Sequence, residues 1–119
     1  MHLTEEELEK ILEAGKFLLD KGYSIEQKKR IIRYSMEEKQ ISVYLGRFTD
    51  ELGEVGIKFL DANKYYNLGW ITHNRGVYRP QLNGRFDYLM YMLSYLREEY
   101  DNIINIDFCE ESYNMKNMH

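Results

Sequence analysis

Three histidines, one cysteine and a short segment that joins His73 to Arg75 are the residues in this 119-residue chain that could do chemistry. A His and an Arg on one loop suit a phosphate-cleaving site, with the imidazole as base and the guanidinium clamping the anion. The same segment, His73-Asn74-Arg75-Gly76, also reads as a polar hairpin turn in which Asn and Gly supply positive φ, and its composition favours that reading. Cys109 needs a base and an orienter to act as a nucleophile, and its chain neighbours are Glu110 and Glu111. No Gly-x-Ser-x-Gly elbow is present. Gly53 and Gly56 are not followed by Lys-Ser/Thr and lead into a strand pattern, so they do not form a phosphate loop. His2, His73 and His119 lack a ligand partner at helix or hairpin spacing. The expectation is a chain that is not an enzyme and holds no metal or cofactor.

The length fits one domain, 1–119, with enough chain to bury a core. No apolar run approaches the ~18 residues of a membrane span. The first residues enter an acidic helical pattern and lack the basic start and apolar run of a signal peptide. With a single cysteine no internal disulfide forms, which fits a reducing, cytoplasmic setting. The net charge of −4 comes with clustered acids, which argues against nucleic acid and suits a basic protein partner. The eleven tyrosines serve either strands or a binding surface, since Tyr offers stiff area with a polar tip.

The elements that would position these residues follow from periodicity. Thr4 and Glu7 have capping-box spacing, and Leu8, Ile11, Leu12, Gly15, Leu18 and Leu19 recur at helical period up to Lys21-Gly22. Ser24 with Gln27 suggests a second helix whose buried side holds Ile25, Ile31, Ile32 and Met36; Lys28-Lys29-Arg30 with Arg33 would be its solvated face. Alternation then predicts strands at Ile41–Leu45, Val55–Phe59, Tyr65–Thr72 and Val77–Gln81, joined by turns at Thr49–Gly53, Asp61–Lys64 and His73–Gly76. Trp70 is assigned to the core.

A long helix is predicted from about Arg85 to Tyr100. Phe86, Leu89, Met90, Leu93, Leu96 and Tyr100 share one face; Tyr88, Tyr91, Met92 and Tyr95 form a second stripe. Such a helix is central in its domain or uses its second face on a partner. The N-terminal helices are candidates to cover that stripe. Alternating Ile104, Ile106 and Phe108 suggest an extra C-terminal strand. The expected fold is α+β: two N-terminal helices, a four-stranded antiparallel meander, a long C-terminal helix and that last strand.

The segment from about Val55 to Tyr100 resembles the small immunity proteins of bacterial polymorphic-toxin systems. The residues that carry the resemblance are Tyr65-Tyr66-Asn67-Leu68-Gly69-Trp70-Ile71, the turn Asn74-Arg75-Gly76 with Val77 and Tyr78, and the helix Phe86-Asp87-Tyr88-Leu89 continuing Tyr91-Met92-Leu93. The resemblance implies a single-domain cytoplasmic protein that binds one cognate toxin domain and blocks it. Such proteins are often acidic when the toxin is a nuclease with a basic cleft.

The expected contact surface combines Asp50, Glu51 and Glu54 with the outward aromatics of the Tyr65–Trp70 strand, Tyr65 and Tyr66 among the candidates, and the C-terminal acids Asp107, Glu110 and Glu111. Acids would hasten encounter and Tyr would anchor the complex. The partner would be the toxin domain, with no nucleic acid or membrane, and the protein a monomer or homodimer. Two alternatives stand beside this one: a homo-oligomeric module joined through the Tyr88/Tyr91/Tyr95 stripe, and a small phosphate-processing enzyme using His73 and Arg75.

Overall fold

The structure, a computed structural model, describes residues 3–46 and 52–115. It is α+β. Helix α1 (Glu5–Ala14) starts at the expected capping box: Thr4 Oγ1 accepts from the Glu7 amide, and the Glu7 carboxylate accepts from the Thr4 amide, each at 3.0 Å. The helical run breaks at Gly15 and resumes as α2 (Lys16–Asp20). Glycine is needed there, because a Cβ would overlap the hydroxyl of Tyr34, a fully buried side chain. Helix α2 ends as expected at Gly22 (φ 101), with Gly22 N–H bonded to Leu19 O and Tyr23 N–H to Leu18 O, a Schellman closure.

The predicted second helix is instead a hairpin, β1 (Ser24–Gln27) and β2 (Ile31–Met36), with Lys28-Lys29-Arg30 as its turn. Ile32 and Tyr34 are buried at strand period while Arg33 between them points outward and pairs with Glu26 across the ladder, 3.6 Å away. Tertiary pairing overrides the capping-box spacing of Ser24 and Gln27. Strands β3 (Lys39–Tyr44), β4 (Glu54–Phe59) and β5 (Lys64–Asn67) follow, and all five form an antiparallel sheet in sequence order. The meander is therefore five-stranded, not four-stranded. The Thr49–Gly53 turn lies mostly outside the described residues.

Two further strand expectations are corrected. Tyr65–Thr72 stays extended only to Asn67, then becomes α3 (Leu68–Asn74), and Val77–Gln81 is irregular. The last strand is replaced by two short helices, α5 (Tyr100–Ile103) and α6 (Ile106–Asn114), with Asn105 capping α6 through the Asp107 amide. The apolar alternation at Ile104, Ile106 and Phe108 straddles the break between them. The buried positions there are Ile103, Cys109 and Ser112.

One sheet face, bearing Ile32, Tyr34, Ile41, Val43, Val55, Ile57 and Tyr66, forms the core with the helices. Helix α4 (Arg85–Glu98) buries Leu89, Met92, Leu93 and Leu96 together with Tyr88 and Tyr95. Both its stripes are thus covered within one chain. The cover over Tyr88 comes from α3 and the segment after it: Arg79 lies 5.5 Å above the Tyr88 ring, and Tyr91 donates to the Tyr78 carbonyl. Helix α1 also packs on α4. Among the described residues, no helix is long and apolar enough to cross a membrane.

Candidate functional site

The corner between β5 and α3 concentrates exposed aromatic and charged side chains. Asn67 ends the strand and caps the helix: its Oδ1 accepts the Gly69 amide at 2.6 Å, and its own amide donates to the Tyr113 hydroxyl. At the other end Gly76 (φ 67) bonds to His73 O and Val77 N–H to Thr72 O, a second Schellman closure. Helix α3 turns Leu68, Ile71 and Thr72 inward and Trp70 outward. Trp70 is 58% exposed, which corrects its assignment to the core; the His73 ring stands edge-on to it, with centroids 6.1 Å apart.

Arg79 reaches back to donate from Nη2 to Thr72 Oγ1 at 3.0 Å. Gly69 lets the Tyr88 hydroxyl approach α3, since a Cβ there would lie 2.6 Å from it. Asn67, Gly69, Trp70, His73, Arg79 and Tyr88 together line a recess of about 300 Å³. On the adjoining strand Tyr65, 43% exposed, lies over Gly56 and donates its hydroxyl to Glu54. Burial holds the Tyr65 and Tyr88 hydroxyls protonated above the usual phenol range, and the Glu54 carboxylate adds to it at both; Arg79 pulls Tyr88 the other way. Tyr78, beside Arg79 in the chain, is 81% exposed.

The expected contact set is thereby divided. Glu54 and Tyr65 meet at this corner. Tyr66 does not take part: it is 3% exposed, packed edge-on to Phe59 and Tyr113, and Tyr65 is the outward member of the pair. Asp107, Glu110 and Glu111 sit on α6. There Glu110 pairs with Lys64, whose ammonium holds the carboxyl below its ordinary range. The buried Tyr66 hydroxyl lies near that carboxylate without closing a hydrogen bond of proper geometry, and it favours the ionised Glu110 in turn. Glu111 is 3.8 Å from Arg75. Asp50 and Glu51 lie outside the described residues. Sequence reasoning missed Trp70 and Arg79 as surface residues. The signal that could have found Trp70 is the pairing of Asn67 with Gly76 as helix caps.

The alternative pairing of His73 with Arg75 does not occur in one pocket. Arg75 turns toward α6, donating from Nε to Ser112 Oγ at 2.6 Å and stacking 3.9 Å over the Phe108 ring, and it lines a different recess from His73. Cys109 is buried and bonds to the Ile103 carbonyl, and burial pushes its thiol up to about 12 against the lowering effect of Arg75. It is therefore a thiol rather than a nucleophilic thiolate at neutral pH. Among the described residues no group of His, Cys, Asp and Glu converges as a metal site requires. What the corner offers is anchoring chemistry: an exposed Trp, the exposed Tyr65 and an Arg over a ring, the residue types that dominate binding energy at protein interfaces.

Compared with known proteins, the chain matches no family model, no curated protein and no solved structure.

Proposed function

We propose that this chain is a protein-binding domain, and that its partner is a bacterial toxin domain that it neutralises by covering the active site. The observation that carries the binding reading is Trp70. A Trp more than half exposed on a short, doubly capped helix, beside Arg79 and Tyr88, is a rigid anchor with little ordering entropy to lose on association. Tyr65 and Glu54 extend the same surface, and the acidic net charge steers a basic partner. The toxin reading comes from the resemblance of the 55–100 segment to immunity proteins.

Arg75 is engaged by Ser112 and Phe108 and lines a different recess from His73, which favours binding over a phosphate-processing site built on the two. Burial of Tyr88 and Tyr95 within one chain likewise weakens a self-interface built on that stripe. The test is direct. The protein encoded next to this chain is purified with it, assayed for toxicity and titrated by calorimetry. The proposal expects one-to-one, salt-sensitive binding that abolishes the toxin's activity. A neighbouring domain that is not toxic, or one that stays active when saturated with this chain, overturns the neutralisation reading.

A further inference from the structure

Two turns at one end of the meander bring acidic side chains together. Lys28, Lys29 and Arg30 form the β1–β2 turn, whereas Glu37 and Glu38 form the β2–β3 turn and Asp61 opens the β4–β5 turn. Strand direction puts the last two turns at one end of the sheet, a six-residue strand, or roughly 20 Å, from the basic turn. They are joined there by the Leu60 amide, which donates to the Glu38 carbonyl at 2.9 Å.

The helical layer brings Asp101 and the α5–α6 junction to the same end. The result is a groove of about 560 Å³ whose partly buried apolar floor is Phe59, Ile104 and Ile106 and whose exposed rim holds Glu38, Asp61 and Asp101. None of these three carboxylates has an ion pair or side-chain hydrogen bond among the described residues; the nearby Lys64 is committed to Glu110. Leu60, itself partly exposed, extends the apolar surface beside Asp61. The groove shares no lining residue with the Trp70 recess.

We propose that this groove docks a lysine- or arginine-bearing apolar segment of the partner protein. The argument is complementarity on two counts. Lys and Arg lay their aliphatic stems on apolar surface while their charged ends stay at its rim. Here an apolar floor is edged by three carboxylates that make no ion pair among the described residues, so a cationic segment gains attraction without displacing an existing pair. The proposal rests on the reading of this chain as a protein-binding domain and adds a second contact, separate from the Trp70 recess.

The full chain, isotopically labelled, is titrated with a short synthetic amphipathic peptide of leucine and lysine, with a leucine–glutamate peptide as control. Amide shifts are expected at Phe59, Ile104 and Ile106, with the lysine peptide only. Affinity should fall about tenfold in the Asp61→Lys/Asp101→Lys variant and steeply with salt. The milder Asp61→Asn/Asp101→Asn pair should weaken it in the same direction, which keeps the test decisive if charge reversal perturbs folding. Trp70→Ala should bind the peptide as the unaltered chain does. Shifts centred on Trp70, an equal response to the glutamate peptide, unchanged affinity in the Asn pair, or concentration-dependent shifts at the groove without peptide would each overturn the proposal. If the groove fails while the protein encoded next to this chain still binds and Trp70→Ala abolishes that binding, the protein-binding reading stands without it.

Discussion

Trp70 and Gly56 show how single residues separate a surface used for binding from one used for stability. Trp70 is more than half exposed, so Trp70→Ala should change unfolding free energy by no more than ~0.5–1 kcal/mol. If it anchors a partner, the same change should weaken binding by ~2 kcal/mol or more, about thirtyfold. Gly56 instead serves the sheet. It faces Asn67 across the ladder and has the Tyr65 ring lying on it, so an added methyl forces the ring off and breaks its bond to Glu54. Gly56→Ala should cost ~1 kcal/mol by denaturant unfolding, little more, because Tyr65 is partly exposed and can swing aside. In a Tyr65→Ala background the same substitution should be neutral or stabilising. A cost that persists there would place the role of Gly56 in the backbone rather than under the ring.

At the scale of elements, the caps carry testable energy. Thr4→Ala removes half of the capping box on α1 and should lower stability by ~1 kcal/mol in thermal unfolding. Gly76→Ala places a Cβ at φ 67, where L side chains are disfavoured, and should cost ~1–2 kcal/mol by fraying α3 and loosening Arg79 and Trp70. The same caps explain what was legible in the sequence. Helix α1 could be read because Thr4, Glu7 and the apolar period agree. Strands β3 and β4 could be read because Ile41, Val43, Val55 and Ile57 alternate against polar neighbours. The 24–36 hairpin could not, because Ile31-Ile32 and Met36 satisfy a helical stripe as well as Ile32 and Tyr34 satisfy a strand. Periodicity cannot see the cross-strand Glu26–Arg33 pair that goes with the second. Helix α3 was hidden because Asn74-Arg75-Gly76 serves a Schellman closure with the same residue types as a hairpin turn. Once α3 is placed, ~100° per residue puts Leu68, Ile71 and Thr72 on one arc and Trp70 opposite them, which moves Trp70 from core to surface. Of the candidate site, Glu54 and Tyr65 were therefore legible and Trp70 and Arg79 were not.

Taken whole, the molecule holds its buried tyrosines in the protonated form. Tyr23, Tyr34, Tyr66, Tyr88 and Tyr95 are at most 9% exposed, and burial raises the pKa of each above its ordinary value. The folded state holds these protons while the unfolded chain releases them at about pH 10. Their contribution is thus fully present below about pH 10 and is lost as pH rises above it, by up to ~1.4 kcal/mol per pH unit for each tyrosine. Urea midpoints should fall steeply above about pH 10, with phenolate absorbance appearing together with unfolding. Midpoints that stay flat there would contradict the packing of these hydroxyls.

The functional account makes a different whole-molecule claim: a stable scaffold presents Trp70 to a toxin domain. Growth of a bacterial host expressing the protein encoded next to this chain tests it most directly, with unfolding midpoints measured alongside. The account predicts that the unaltered chain restores growth, and that Trp70→Ala, unfolding within a few degrees of it, does not. Full protection by a folded Trp70→Ala chain would contradict it.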